Sequence, residues 1–160
     1  MTDHDTVLFQ GDDQPSIHLR VNGYSWADSE GGAELLSMTV RVEDAPFSGG
    51  LTVDVGIEAL SDFQDSLVDL LRSGQGTVLL ETWAQDFKLK IKVDDWGQVE
   101  ITAKLNALEY VVEGARVTGV LASTVFTHPK SLEDCVGQLQ SVLQAFPGRV
   151  SDSAVGTVCG

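Results

Sequence analysis

The chain has 160 residues and a formal net charge of -14, with 42% apolar and 21% charged residues. That is the length of one domain with a real core, and the composition excludes a disordered chain; no apolar run approaches the roughly 18 residues of a membrane span. Charge of this sign repels nucleic acid and anionic membrane, excludes both as expected partners, and favours a basic protein partner.

Residues 1–15 are polar and acidic and predict a flexible lead-in, with Val7–Phe9 as a candidate short edge strand. They carry neither the basic n-region nor the apolar stretch of a secretory leader. A single domain is expected over 16–147, with 148–160 as a C-terminal tail. Ile17, Leu19 and Val21 alternate with His18, Arg20 and Asn22, the period of a strand. ADSEGG, Ala27–Gly32, is a loop. Leu36–Val42 forms a second strand, EDAPFSGG interrupts it, and Leu51–Val55 forms a third.

The period then changes. Leu60, Phe63, Leu67, Leu70 and Leu71 fall at helical spacing. Ser61 with Gln64 fits a capping box, or the helix begins a turn earlier at Glu58; Gly74 is its stop. Four strands follow: Thr77–Trp83, then FKLKIKV and VEITAKL around a DDWG turn, then Arg116–Phe126, with Leu108–Val112 as a possible extra strand. Leu132, Cys135, Val136, Leu139, Val142, Leu143 and Phe146 stripe a second helix. Ser131 with Asp134 resembles its capping box and Pro147–Gly148 its end. The order predicts an α+β fold: a single twisted antiparallel sheet of about six to seven strands, with two amphipathic helices packed on one face. No internal repeat is evident.

Lys88, Lys90 and Lys92 stand opposite the apolar side of their strand, near Glu100 and Thr102 of the next. Cross-strand charge pairs and protection of an outer strand against aggregation account for the row without a ligand. Lys104 is the fourth lysine of that hairpin.

The chain has no phosphate-binding loop, dinucleotide fingerprint, nucleophile elbow or zinc-protease helix. His4, His18 and His128 are far apart in sequence. Cys135 and Cys159 lack metal-ligand spacing and imply free thiols and a cytoplasmic setting. Cys135 is expected to be a buried apolar side chain. No catalytic residue, cofactor or metal is assigned, and the chain is expected not to be an enzyme.

Acidity is uneven: fourteen acidic and two basic side chains precede residue 70, a net of -12, and ten acidic against eight basic follow, a net of -2. Asp62, Asp65 and Asp69 share one side of the first helix, as a solvated face or as a contact surface for a basic partner. With Glu30, Glu34 and Trp96 they make up the candidate partner-binding set. Trp96, at the hairpin tip, either anchors a partner or folds back over the sheet edge. Two alternatives stay open: a small-molecule or enzymatic site on the open sheet face using Lys90, Glu100 and Trp83, and an accessory subunit of a larger assembly, with a homodimer compatible with either.

The order of FSGGLTVDVGIEALSDFQDSL, TVLLETWAQDFKLKIKVDDWGQVEITAKL and VFTHPKSLEDCVGQL resembles WapI-type bacterial immunity proteins and a related uncharacterised bacterial family, over about residues 47–146. The matching positions are Leu60, Phe63 and Leu67; Asp94, Gly97 and Val99; and Thr127 and Leu132. The resemblance implies a protein that neutralises a toxin by binding it, without a cofactor. The family's turn before the last helix tends to read T-D-Q, where this chain has Thr127-His128-Pro129.

Overall fold

The fold, taken from a computed structural model, is described over residues 5–11, 15–25, 35–44, 47–112 and 115–147. Strands β1 (Thr6–Gln10), β2 (Ser16–Tyr24), β3 (Leu35–Asp44) and β4 (Phe47–Gly56) lead into helix α1 (Ile57–Ser73). Strands β5 (Gly76–Glu81), β6 (Phe87–Val93), β7 (Val99–Val112) and β8 (Ala115–Thr127) lead into helix α2 (Pro129–Ala145). Among the described residues, no helix is long and apolar enough to cross a membrane.

The α+β class and the antiparallel pairing agree with the sequence reading, but the single sheet of six to seven strands does not. There are two four-stranded sheets, in the orders β1-β2-β3-β4 and β5-β6-β7-β8. The helices do not share one face of one sheet either. Helix α1 packs against β5 and α2, and α2 packs against β1. The physical reason is that period identifies a strand without naming its neighbour. A helix after β4 lets β5 rejoin the first meander or open a second, and here it opens a second. Leu108–Val112 is no separate strand; it continues β7, past an irregularity in the pairing with β8 between Ala107 and Tyr110.

A repeat is evident in the fold that was not seen in the chain. Each half is a four-stranded meander followed by a 17-residue helix. The buried positions of the helices correspond: Leu60, Phe63, Leu67 and Leu70 on α1 match Leu132, Cys135, Leu139 and Val142 on α2. The inward residues of both sheets join these side chains in one hydrophobic cluster, from Val7 and Phe9 to Leu139 and Val142.

The sheets also meet directly. Ser123 Oγ on β8 donates to Asp44 Oδ2 at the end of β3, at 3.1 Å. Gly11 after β1 and Gly49 on β4 allow close approach to β8, since a Cβ would lie 2.8 Å from Val125 Cγ1 at the first and 2.7 Å from Leu121 Cδ2 at the second.

The edge of β1 is closed by α2 and not by another strand. Leu8 N–H donates to Gln138 Oε1 at 2.8 Å, and the Cys135 thiol donates to the Leu8 carbonyl at 3.2 Å. Both backbone groups that face away from β2 at this residue are therefore satisfied.

The helix ends differ in detail from expectation. Helix α1 starts at Ile57 with Gly56 as its cap, so Ser61 lies inside the helix and forms no box with Gln64. Gly74 does end it, in the left-handed region at φ 81, its N–H donating to the Leu70 carbonyl. Helix α2 is capped by His128 with Pro129 at its start. Ser131 is again internal, and its Oγ accepts from Thr127 Oγ1 at 2.9 Å.

Candidate functional site

The apolar stripe of α1 leaves its opposite side to charge. Glu58, Asp62, Asp65 and Asp69 are all exposed and recur at intervals of four, three and four. They form one line along the helix, roughly 16 Å long at 1.5 Å per residue. Each neighbouring like-charge pair destabilises the helix by about 0.2–0.5 kcal/mol. Asp69 also sits near the negative end of the helix dipole. Its one relief is Arg72 Nη1, 3.8 Å away and itself well exposed.

Strand pairing carries this stripe to the hairpin tip. After Gly74 the chain enters β5, whose first residue, Gly76, pairs with Val93 at the end of β6. Val93 immediately precedes the Asp94–Gly97 turn. The exit of α1 and the turn bearing Trp96 therefore lie at one end of the molecule. Between them is a shallow depression of about 520 Å³ lined by Gln75, Gly76, Thr77, Lys92, Val93, Asp94 and Asp95.

Trp96 does not fold back over the sheet; it is 93% exposed. The turn beneath it is tied down. Asp94 Oδ1 accepts from Trp96 N–H and from Gln98 N–H, each at 2.9 Å, and Gly97 N–H donates to the Asp94 carbonyl at 3.0 Å. Gly97 holds φ 80, which a side chain would strain. Of the partner-binding set, the structure thus links Asp62, Asp65, Asp69 and Trp96 through one helix exit and one turn. Glu30 and Glu34 lie outside the described residues. Sequence reading did not include Glu58, although its spacing of four from Asp62 was the signal for it.

The open face of the second sheet has three rows set by register. Glu81, Lys88, Lys104 and Ala122 form one; Leu79, Lys90, Thr102 and Thr124 the next; Thr77, Lys92, Glu100 and Phe126 the third. Lys90 and Glu100 are therefore on neighbouring strands but in different rows. Trp83 lies in the β5–β6 turn and is 85% exposed. That turn is braced too: Gln85 N–H donates to the Thr82 carbonyl at 3.0 Å, and Asn106 Nδ2 donates to the Gln85 carbonyl at 2.9 Å.

His18 Nε2 lies 3.1 Å from Ser16 Oγ on the polar side of β2. His128 caps α2, and His4 is outside the described residues. Cys135 is buried as expected, and burial, with a smaller contribution from the Asp134 carboxylate, pushes its thiol up from 9.0 to about 12.

No family model matches this chain, and neither the curated proteins nor the solved structures contain a match to it.

Proposed function

We propose that the chain is a non-enzymatic interaction protein that holds a basic protein partner against the acidic side of α1. Its specific form is a bacterial immunity protein that neutralises a basic toxin. The observation that supports this reading is the line Glu58, Asp62, Asp65 and Asp69, exposed along one helix that leads to the exposed, braced Trp96. Four carboxylates with one cation among them lower helix stability while raising the encounter rate with a cationic surface. A tryptophan carried on a braced turn near the exit of that helix adds an aromatic anchor.

Co-expression with the products of the neighbouring genes tests this. The native chain is expected to co-purify with one basic product and to restore growth where that product is toxic. Reversing Asp62, Asp65 and Asp69 to lysine is expected to abolish both effects while the melting temperature is maintained. If no neighbouring product binds the native chain and none is neutralised, the reading fails.

A further inference from the structure

We propose that the open face of β5–β8 is a second docking surface, for an extended acidic segment of a partner protein laid along β6. The two open faces of the molecule differ, and one serves as a control for the other. On the first sheet both described arginines have partners: Arg20 Nε lies 3.5 Å from Asp5 Oδ2, and Arg41 Nε lies 2.8 Å from Glu43 Oε1. Among the described side chains, which do not include that of Phe47, no large apolar one of that sheet is exposed. On the second sheet Lys88, Lys90, Lys92 and Lys104 are all exposed, and none takes part in an ion pair among the described residues. Leu79, Val120 and Phe126 are exposed on the same sheet at 48%, 61% and 47%.

Of the two roles that would explain the lysines without a ligand, one is excluded and the other covers only part of the row. Edge protection needs an outer strand, and β6 lies inside its sheet, between β5 and β7. Cross-strand pairing needs opposite charges in contact. Lys92 has Glu100 and Lys88 has Glu81 directly opposite in register, while Lys90 lies between Leu79 and Thr102 and Lys88 also faces Lys104. Like charges directly across a sheet are destabilising. In a chain of net charge -14, the three rows of this face carry four lysines against two glutamates, with exposed apolar side chains on the flanking strands.

The row also has a period. Alternate residues of a strand lie about 6.7 Å apart on one face. An extended segment with carboxylates at every second position repeats at the same interval, so it can meet Lys88, Lys90 and Lys92 in turn. Leu79 on β5 and Phe126 on β8 flank the row, where the methylenes of the segment's glutamates and its backbone would pack against them. A face-to-face pair of identical chains that stacked β6 on β6 would set lysine against lysine, which disfavours that dimer. Single-stranded nucleic acid is disfavoured because it needs successive aromatic platforms for its bases, and Phe126 is the one aromatic residue of the three rows.

The test is fluorescence anisotropy of the full chain with a labelled peptide that alternates glutamate with valine and threonine. Saturable binding that weakens with salt is expected. Reversing the row with Lys88→Glu, Lys90→Glu and Lys92→Glu is expected to weaken binding by about tenfold or more, since three charge contacts change sign. The reversed chain is then expected to prefer a peptide that alternates lysine. Leu79→Ser with Phe126→Ser is expected to weaken binding, and Lys130→Glu on α2 to leave it unchanged. Should the reversed chain melt early, Lys88→Gln, Lys90→Gln and Lys92→Gln serve in its place. The proposal is overturned by absence of saturable binding, by equal binding to native and neutralised chains, or by tighter binding of an oligothymidylate than of the peptide.

Discussion

Two buried residues show how position decides chemistry. Cys135 lies under the first turns of α2, where a thiolate is often favoured, yet its thiol is pushed up to about 12 because it is enclosed in the core. It should not react with iodoacetamide at pH 8 in the folded Cys159→Ser chain, and should react fully once the chain unfolds. The same shift sets a pH dependence. The folded thiol holds its proton above the unfolded value of 9.0, so its stabilising effect is complete below pH 9.0 and is lost as pH rises towards about 12. Denaturant midpoints across that interval should fall more steeply for the native chain than for Cys135→Ala. Leu67, on α1, is fully buried in the hydrophobic cluster that both halves share. Leu67→Ala should cost about 2–5 kcal/mol in urea unfolding, the usual range for a buried leucine that leaves a cavity.

Among the elements, the contact between β1 and α2 has the clearest consequence. Gln138 supplies the acceptor that a fifth strand would otherwise provide to Leu8. Gln138→Ala should destabilise the fold by about 1 kcal/mol, the lower end for an unsatisfied group that is only partly enclosed. Amide exchange at Leu8 should speed up selectively; an unchanged rate there would exclude the capping role. Nothing in the sequence around Gln138 pointed to this, because a glutamine on the flank of an amphipathic stripe has no period of its own. The strands themselves were legible, since Leu89, Ile91 and Val93 alternate with lysines without interruption. Strand pairing was legible only where a short turn joined two strands. Across α1, between Val55 and Val78, periodicity was silent, and there the single-sheet expectation failed.

At the scale of the molecule, the halves share an element order that their side chains conceal. The buried pairs Phe63 and Cys135, and Leu70 and Val142, preserve the hydrophobic pattern while changing the residue. Identity comparison therefore misses a repeat that burial makes plain. The acidic helix side was legible from spacing alone. The inner position of the lysine strand β6 was not, nor was the register that sets Lys88 against Lys104. The cross-packing of the halves also has a consequence in time. Gln138 follows Leu8 by 130 residues. At about 5–20 residues per second of synthesis, roughly 6–26 seconds separate the two on the ribosome. For that interval β1 has an open edge, and any nascent chain arrested before α2 emerges offers its neighbours on the polysome a strand to pair with.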